Sequence, residues 1–373
     1  MTPTSSPTLY DPIRVGDIDL ANRIVMAPLT RNRAGAGQVP TELMLQYYRQ
    51  RANPETGAGL IVTEASQISP MGQGYLDTPG IHTPEQVAGW KRVTDAVHAE
   101  GGRIVIQLWH VGRISHVSLL PGGAQPVSST ARAAKSRTFL QGGFFPVSEP
   151  RALRTDEIPA IVADYRRAAG LAMQAGFDGV ELHAANGYLI EQFLRDSIND
   201  RSDAYGGSIE HRTRLLTEVL QAITAEVGGG RTGVRLSPIT PANDAGQDSH
   251  AQALYGRAVE RFAPLGLAYV HVVEGATGGA RDLSDKGVAP FDYAALRAKF
   301  PGRWMVNNGY DRAMAEAAVA ARTADLVAFG KAFIANPDLG RRLREGAALN
   351  APDTATFYGG GERGYTDYPV LAD

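Results

Sequence analysis

Short apolar runs, often β-branched, alternate with longer amphipathic segments along most of this 373-residue chain. The short runs are typical of strands that are buried on both faces, and the longer segments are typical of helices. The predicted strands are Ile24–Ala27, Leu60–Glu64, Arg103–Leu108, Gly179–His183, Thr232–Leu236, Ala268–Val272, Trp304–Asn307 and Leu326–Phe329. The predicted helices are Thr41–Arg51, Pro84–Glu100, Asp156–Ala175, Ser208–Val227, Ser249–Ala263, Asp292–Lys299, Asp311–Ala321 and Asp338–Glu345.

Eight strands that are each followed by a helix predict an α/β fold, a closed (β/α)8 TIM barrel. An open, doubly wound sheet is the alternative for the same alternation, but eight even units favour closure. Pro84 suits the first turn of its helix, and Asp156 and Asp311 are expected to cap theirs. No segment resembles a linker between domains, so we expect one domain over residues 1–373.

Two stretches do not follow this repeat. Residues 8–23 predict a small N-terminal hairpin that caps the floor of the barrel. Residues 112–155 are rich in Gly, Pro and Ser, and they contain two short extended pieces around Pro126–Ser129 and Phe144–Ser148. This long excursion follows the third strand, and we expect it to be functional and to lie on the active-site face, because loops of this length usually are.

Composition excludes several classes of protein. Hydrophobic residues make up 43 % of the chain and the net charge is −2, so nothing indicates nucleic acid as a partner. The apolar runs are too short to span a membrane, and the N-terminus lacks the regions of a secretory signal. Cysteine is absent, which removes disulfides, thiolate catalysis and Cys-bound metals. We expect a cytoplasmic globular protein, either a monomer or a homodimer.

The segment Phe177–Arg195 passes from an apolar strand into a helix near Leu189, with His183, Asn186 and Tyr188 at the junction. Residues three apart face the same way on a helical turn, so His183 and Asn186 are expected to converge on one acceptor. The Tyr188 phenol stays protonated at neutral pH because its unperturbed pKa is about 10. A lone histidine is more often a satisfied core residue. Together, however, the three side chains predict a site that polarises a carbonyl group and delivers a proton.

Two more polar side chains are predicted inside the barrel. Alternate residues of a barrel strand point inward, which places Gln107 and Arg235 there. A buried charge is costly unless it is paired. Glu181 is two residues before His183, so the two side chains are expected to point inward together. Arg235 therefore either forms a structural ion pair with Glu181 or contacts a bound anionic or electron-rich ring.

The loops after the seventh and eighth strands carry candidate phosphate-binding residues. They read Asn307-Asn308-Gly309-Tyr310 and Gly330-Lys331, and a predicted helix follows each. Barrels often bind phosphate at this place, because glycine lets backbone N–H groups approach an anion near a helix N-terminus.

Two other patterns carry no function. Gly359–Gly364 matches the G-x-G-x-x-G string, but no strand precedes it and no helix follows, so it is not a dinucleotide-binding fingerprint. His110 and His116 do not have the spacing of metal ligands, and we interpret them as a packing and a surface histidine. No metal site is predicted.

Together these residues resemble the Old Yellow Enzyme family of flavin-dependent ene-reductases, in its classical, N-ethylmaleimide reductase-like branch. The resemblance covers nearly the whole chain and rests on long motifs that occur in the family's order. The matching segments are Met26–Arg31, Val62–Ala65, Gly72–Thr83, Gln107–Arg113, His183–Tyr188, Asp203–Ser208, Val234–Pro238, Ala328–Leu339 and Phe357–Pro369.

The resemblance implies a non-covalent FMN across the barrel mouth and NADPH or NADH as the transient hydride donor. Gln107 and Arg235 would contact the pyrimidine edge of the flavin, and Thr30 its O4. The implied cofactor-binding residues are Pro28, Leu29, Thr30, Ala65, Gln107, Arg235, Asn308, Gly309, Gly330 and Lys331. The implied walls of the substrate pocket are Tyr75, Trp109 and Tyr358.

The implied reaction is ping-pong. NAD(P)H reduces FMN and leaves, and flavin N5 then passes a hydride to the β-carbon of an activated alkene, such as an enone, enal, maleimide or nitroalkene. His183 and Asn186 would bind the electron-withdrawing group, and Tyr188 would protonate the α-carbon. The alternatives are an FMN-dependent barrel similar to 2-hydroxy-acid oxidases, a cofactor-free barrel lyase or isomerase for phosphorylated substrates, and a flavin-binding protein without turnover.

Three positions matter within the family pattern. Lys331 stands where the motif Ala-Phe-Gly-Arg-Pro-Phe has a phosphate-binding arginine. Thr30 stands where another branch carries cysteine, which places this chain in the classical branch. The loop after the sixth strand, residues 273–279, lacks a tryptophan that some relatives have, so their substrate preference does not transfer.

Overall fold

A computed structural model describes residues 6–372. Its strands are β1 (Ile13–Val15), β2 (Ile18–Leu20), β3 (Ile24–Met26), β4 (Leu60–Gln67), β5 (Ile104–Trp109), β6 (Val127–Ser128), β7 (Arg137–Leu140), β8 (Gly143–Pro146), β9 (Arg151–Ala152), β10 (Gly179–Ala184), β11 (Thr232–Leu236), β12 (Tyr269–Val273), β13 (Arg303–Asn307) and β14 (Leu326–Phe329). Its helices are α1 (Glu42–Arg49), α2 (Pro84–Ala99), α3 (Ile158–Gln174), α4 (Leu189–Leu194), α5 (Ile209–Arg212), α6 (Arg214–Val227), α7 (Ala251–Phe262), α8 (Tyr293–Arg297), α9 (Arg312–Ala320), α10 (Lys331–Ala335) and α11 (Leu339–Glu345).

The strands β3, β4, β5 and β10 to β14 close into a barrel in chain order, and β14 pairs back onto β3. Neighbouring barrel strands are parallel, as expected when a helical crossover separates them. Each predicted barrel strand is present at or close to its predicted bounds. The predicted (β/α)8 TIM barrel is confirmed.

The alternation of side chains along the strands builds two apolar layers. Val25 and Val105 point inward and pack with other inward residues along the barrel axis. Ile104, Ile106 and Leu108 point outward and belong to the larger cluster beneath the helices. Both layers are almost fully buried, so the strands are apolar on both faces, which is the pattern that predicted them.

The N-terminal hairpin closes one end of the barrel, as predicted. β1 and β2 are antiparallel, and their buried side chains join the inner cluster. The Asp17 N–H donates to the Gly230 carbonyl, N to O 2.8 Å, two residues before β11 begins. The amino ends of the barrel strands are therefore covered, and the carboxyl ends form the face that remains for a site.

Two helix predictions were wrong in detail. The segment predicted as one helix, Ser208–Val227, is divided at Thr213, whose hydroxyl donates to the Ile209 carbonyl at 3.0 Å. Such a bond competes with the helical ladder and bends the chain. Asp156 lies in a 3₁₀ turn and pairs with Arg154 at 3.0 Å instead of capping α3.

The other two helix-start predictions are confirmed. Pro84 occupies the first turn of α2 behind a capping box formed by Thr83 and Gln86. Asp311 caps α9 by accepting the Met314 N–H at 2.8 Å.

The excursion over residues 112–155 contains a hairpin that the sequence did not predict. β7 and β8 pair antiparallel, so the piece predicted around Phe144–Ser148 begins one residue earlier and belongs to a hairpin. The other predicted piece, around Pro126–Ser129, is β6, which pairs with β9. Ser128 and Ser129 donate to the side chain and the backbone of Gln192, at 2.8 and 2.6 Å, which attaches the excursion to α4.

Between residues 6 and 372, no helix is both long enough and apolar enough to cross a lipid bilayer. In the same range, no group of three or more His, Asp or Glu side chains is arranged to hold a metal ion.

Candidate active site

A cavity of about 750 Å³ lies at the carboxyl ends of the barrel strands. Ligand sites of TIM barrels lie on this face, because the βα loops converge there. Most of the residues that the sequence predicted for the site line this one cavity. They are Pro28, Leu29, Thr30, Tyr75, Asn186, Tyr188, Arg235, Asn308, Gly309, Gly330, Lys331 and Tyr358.

Four predicted residues do not line the cavity. Trp109 packs directly behind the lining, with its ring centroid 5.6 Å from that of Tyr75 and 4.9 Å from that of Tyr188. Ala65 belongs to the same apolar cluster. Gln107 and His183 are buried within the barrel wall.

The junction that carries His183, Asn186 and Tyr188 is a tight turn and not a helical turn. β10 continues to Ala184, and α4 begins only at Leu189. Asn186 has a left-handed backbone, φ 58°, a conformation that asparagine tolerates better than most residues. The expectation that a helical spacing aligns His183 and Asn186 is therefore wrong. The turn determines where these side chains lie.

His183 is buried and its imidazole is neutral. Its side chain is 4 % exposed, and the strand register places it beside Arg235 of β11. Burial and then the positive charge of Arg235 lower the pKa of His183 well below its usual range. Among residues 6–372, none offers a hydrogen-bond partner to His183 Nδ1. A neutral imidazole with an unpartnered nitrogen can offer one N–H to a ligand oxygen.

Tyr188 presents a neutral phenol to the cavity. Burial raises the pKa of Tyr188, which outweighs the opposing influence of its hydrogen bond to Tyr75. The two hydroxyl oxygens are 3.0 Å apart. Tyr188 therefore remains a proton donor at neutral pH, while Tyr75 holds its hydroxyl in place.

Arg235 does not form the predicted alternative ion pair with Glu181. Its Nη2 donates to Asn307 Oδ1 at 2.8 Å, whereas Glu181 accepts from Gln107 at 2.7 Å and pairs with His271 at 2.9 Å. In the described part of the chain, Arg235 Nε has no hydrogen-bond partner. A buried guanidinium with a free N–H next to a cavity favours the other interpretation, contact with a bound anionic or electron-rich ring.

The loops after β13 and β14 form the opposite side of the cavity. Gly309 adopts φ 68°, which strongly favours glycine, and a Cβ on Gly330 would meet only Leu29 at 3.5 Å. This backbone is therefore open to a ligand. Lys331 is exposed, and its Nζ donates to the Gly278 carbonyl at 3.3 Å.

A β-bulge lies next to the site in β4. The register between β4 and β5 shifts between Val62 and Ala65. Thr63 bridges the irregularity, because its hydroxyl donates to the Glu64 carbonyl at 2.8 Å and accepts the Gln107 N–H at 3.3 Å. Bulges of this kind often redirect a backbone beside an active site.

Aromatic rings from distant segments form the rim of the cavity. Phe139 and Phe144 of the β7–β8 hairpin and Phe357 and Tyr358 of the C-terminal segment line it. The rings of Phe144 and Tyr358 meet edge to face at 5.8 Å. Arg31 holds the C-terminal segment by donating to the carbonyls of Phe357 and Gly364 at 2.9 and 2.8 Å.

Sequence reasoning missed several residues of the cavity. Asn243, Thr277 and Asn307 line it and contact predicted residues, and so do the hairpin aromatics. Asn307 was interpreted only as part of a phosphate loop. Asn243 and Thr277 lie in irregular loops, where no periodicity predicts the direction of a side chain. Asn307 is a polar residue at the end of a barrel strand. That position was the one signal that could have predicted its side chain as a hydrogen-bond partner of Arg235.

Fold and cavity together are those of a TIM barrel with a ligand cavity at the carboxyl ends of its strands, lined by a buried guanidinium, a protonated phenol and open glycine backbone. A model of the NADH:flavin oxidoreductase / NADH oxidase family matches residues 8–350. The chain is 46 % identical over 370 residues to 12-oxophytodienoate reductase 1 of Oryza sativa subsp. japonica, with 98 % of this chain and 93 % of the relative covered.

Two solved structures are similar over almost the whole chain. Morphinone reductase in complex with tetrahydroNAD has a TM-score of 0.90 at 47 % identity, covering 98 % of both chains. The old yellow enzyme homologue from Zymomonas mobilis has a TM-score of 0.90 at 43 % identity, covering 98 % of this chain and 100 % of that one. The chain belongs to the NADH:flavin oxidoreductase / NADH oxidase family, which is the Old Yellow Enzyme family predicted from the sequence. The prediction of an NAD(P)H-dependent flavin oxidoreductase is confirmed at this level.

Proposed function

We propose that this protein is an FMN-dependent ene-reductase that uses NADPH or NADH to reduce activated alkenes. The observation that carries the proposal is one cavity lined by Asn186, the neutral phenol of Tyr188 and the buried cation Arg235. A bound flavin would supply the hydride chemistry that links the nicotinamide to the β-carbon of the alkene.

His183 and Asn186 bind the oxygen of the electron-withdrawing group. His183 is neutral, so it offers an N–H without bringing a second positive charge next to Arg235. Such donors stabilise the charge that develops on this oxygen as the β-carbon is attacked. Tyr188 then protonates the α-carbon, and Tyr75, 3.0 Å away, keeps the phenol in position.

The cofactor-binding residues fit FMN in charge and in shape. Within residues 6–372, Arg235 Nε has no hydrogen-bond partner, and it would contact the electron-rich edge of a ring. Gln107, whose amide also donates to Glu181 at 2.7 Å, would be the second donor. Gly309, Gly330 and Lys331 would bind the phosphate through backbone N–H groups and one ammonium. Pro28, Leu29, Thr30 and Asn308 would complete this lining, and the backbone of Ala65 would reach the ring from behind.

Tyr75, Trp109 and Tyr358 would shape the substrate pocket. Tyr75 and Tyr358 line the cavity, whereas Trp109 would act through the rings in front of it. The similar morphinone reductase was solved in complex with tetrahydroNAD, which supports a nicotinamide cofactor for this chain as well. We propose that either NADPH or NADH serves, in a single-domain monomer or homodimer of the cytoplasm.

The alternatives are less well supported. A 2-hydroxy-acid-oxidase-like reaction needs a base above the ring. Burial raises the pKa of Tyr188, so its phenol stays protonated, and burial lowers the pKa of His183, which makes its imidazole a weak proton acceptor. A cofactor-free lyase or isomerase does not agree with the match to the NADH:flavin oxidoreductase / NADH oxidase family. The relatives are named as reductases, which favours turnover over passive flavin binding.

Flavin release and a substrate panel test the proposal. Denaturing the purified protein and separating the released flavin should yield FMN close to one per chain. Under anaerobic conditions, NAD(P)H oxidation should depend on an added enone, maleimide or nitroalkene and should yield the saturated product. Recovery of FAD, or NAD(P)H oxidation that none of these alkenes stimulates, contradicts the proposal.

A further inference from the structure

Asn186 has a fixed backbone and one remaining choice of side-chain orientation. Its N–H donates to Ser237 Oγ at 2.8 Å, and its carbonyl accepts from Asn243 Nδ2 at 2.9 Å. These two bonds hold the left-handed turn on both sides. What remains is which end of the side-chain amide, the acceptor Oδ1 or the donor Nδ2, faces a ligand in the cavity.

This choice matters because the two ends of an amide have nearly the same shape and opposite hydrogen-bonding character. A carbonyl, nitro or phenolate oxygen can be bound only by Nδ2. The Oδ1 atom must then find a donor elsewhere. Thr277, on the loop after β12, fills this role, because its hydroxyl donates to Asn186 Oδ1 at 2.6 Å.

The contacts of Thr240 support that direction of the hydrogen bond. The Thr277 N–H donates to Thr240 Oγ1 at 2.9 Å, and the Thr240 hydroxyl donates to Thr277 Oγ1 at 3.2 Å. Each hydroxyl has one proton, so once Thr277 Oγ1 accepts from Thr240, its own proton is left for Asn186. Thr240 is fully buried, and it therefore anchors Thr277, which is exposed to the cavity.

The loop that carries Thr277 is itself held from the phosphate side of the cavity. Asn308 Nδ2 donates to the carbonyls of Glu274 and Ala276 at 2.6 and 2.9 Å, and Asn308 Oδ1 accepts the Gly278 N–H at 3.1 Å. The position of Thr277 over Asn186 thus depends on backbone bonds at both ends of residues 274–278.

We propose that Thr277, oriented by Thr240, is a positioning residue that turns the Asn186 amide so that Nδ2 faces the substrate. The site then selects ligands whose polar group is a bare acceptor oxygen, such as a carbonyl, a nitro group or a phenolate. It disfavours ligands that would present an N–H or O–H donor to Asn186. This inference rests on the proposed function, in which Asn186 binds the substrate oxygen.

Phenolate binding to the flavin-loaded protein tests the proposal without turnover. A para-substituted phenolate stacked on oxidised flavin gives a long-wavelength charge-transfer band, and titrating this band measures affinity. Thr277→Val keeps the shape of the side chain and removes the hydroxyl, and it should weaken binding by about 2- to 10-fold, the effect of one neutral hydrogen bond. Thr277→Ser restores the hydroxyl and should bind like the wild type.

A double-mutant cycle separates orientation of Asn186 from other effects. In an Asn186→Ala background, Thr277→Val should cause no further loss. Flavin content and urea unfolding of each variant verify that the fold is retained. Unchanged affinity in Thr277→Val, or an equal loss in both backgrounds, overturns the inference while enone reduction by the wild type still supports the proposed function. A wild-type protein that neither binds phenolate nor reduces enones overturns both.

Discussion

Tyr188 can act as an acid only while its phenol is neutral and correctly placed, and two features of its surroundings provide this. Burial raises the pKa of Tyr188, and the Tyr75 hydroxyl lies 3.0 Å from its own. Trp109 packs against the ring edge to face, with centroids 4.9 Å apart. The hydrogen bond to Tyr75 and the packing against Trp109 thus hold the donor in place.

Tyr188→Phe should slow the alkene step and leave reduction of the flavin by NAD(P)H nearly unchanged. A positioned acid contributes about 10²–10⁴-fold, and strongly activated nitroalkenes should lose less because hydride attack can precede protonation. Anaerobic stopped-flow absorbance resolves the two half-reactions. Tyr75→Phe is the matched control, since it removes the partner and keeps the acid, and it should lose less. An equal loss in both half-reactions of Tyr188→Phe would assign Tyr188 to binding or folding.

Lys331 offers a different kind of contact from the arginine of the family motif. A guanidinium binds phosphate through two parallel N–H bonds, whereas an ammonium is a mobile point charge. Lys331→Arg should raise the affinity for FMN, and Lys331→Ala should lower it because one charged donor to the phosphate is lost. The loss should be limited to roughly tenfold, since the Lys331 side chain is exposed and solvent screens its charge. The difference should shrink at high ionic strength.

Flavin fluorescence during reconstitution of the apo-protein measures these affinities. Lys91→Ala serves as the control, because Lys91 is exposed and pairs with Asp95 on the outer helix α2. Equal dissociation constants for the three Lys331 side chains would show that backbone N–H groups alone hold the phosphate.

Strand alternation predicted the inward residues of the barrel, whereas nothing in the sequence predicted that Asn243 and Thr277, in irregular loops, line the cavity. The inward position of Arg235 follows from strand alternation, but its partner Asn307 comes from a different strand of the barrel. The residue types in Phe177–Arg195 and then the family resemblance predicted roles for Asn186 and Tyr188, yet neither indicated Thr277. Its contact with Asn186 spans 91 positions of sequence through a loop of glycines. Local periodicity contains no information about such a contact.

At the scale of elements, β4 joins the site to the C-terminal segment through a buried charge. Glu64 is fully buried beside the bulge, with the Tyr48 hydroxyl 3.4 Å from Oε1 and the Arg31 N–H donating to Oε2 at 3.4 Å. Burial raises the pKa of Glu64 to about 7, against the opposing effect of Arg31. Arg31 in turn holds the segment that carries Phe357 and Tyr358 at the rim.

This raised pKa predicts a pH dependence of stability with a definite sign. Between pH 4.5 and about 7, Glu64 keeps its proton in the folded state but has released it in the unfolded chain. The contribution of Glu64 to the free energy of unfolding is therefore fully present below pH 4.5 and is lost as the pH rises through about 7. The change is on the order of 3 kcal/mol. Glu64→Gln, which stays neutral and keeps a similar shape, should gain stability relative to the wild type by about this amount between pH 4.5 and 8.

Urea unfolding of the two proteins across this pH range checks the prediction, since their difference cancels the other titrating groups. Glu316→Gln is a control, because Glu316 is on the outer helix α9 and the pKa of its carboxyl is lowered, chiefly by its hydrogen bond with Arg312. Parallel profiles for the wild type and Glu64→Gln would mean that Glu64 is ionised in the folded state throughout.

At the scale of the whole molecule, the barrel was predictable because its strands are short apolar runs, the pattern that is typical of strands buried on both faces. The alternation of strand and helix was enough to predict closure, and the floor hairpin was predicted from residues 8–23. The rim was not predictable in the same way. The hairpin of β7 and β8 and the C-terminal segment meet at Phe144 and Tyr358, far apart in sequence, through exposed rings that no periodic pattern marks.

The whole barrel thus presents one large cavity in which Asn186, Tyr188 and Arg235 come together, and the proposed function assigns a flavin and an alkene to it. The cavity is open at the carboxyl ends of the strands, and the hairpin aromatics and Tyr358 border the opening. In the proposed reaction, a nicotinamide and an alkene would use this same space in turn. The reaction is then expected to divide into two half-reactions that can be observed separately.

The most direct measurement is an anaerobic titration of the flavin absorbance of the purified protein. Addition of one equivalent of NAD(P)H should bleach the bound flavin. Addition of one equivalent of a simple cyclic enone, without oxygen, should restore the absorbance and yield one saturated ketone per flavin. A flavin that NAD(P)H bleaches but that only oxygen, and none of the activated alkenes, restores would contradict the assignment of this site to alkene reduction.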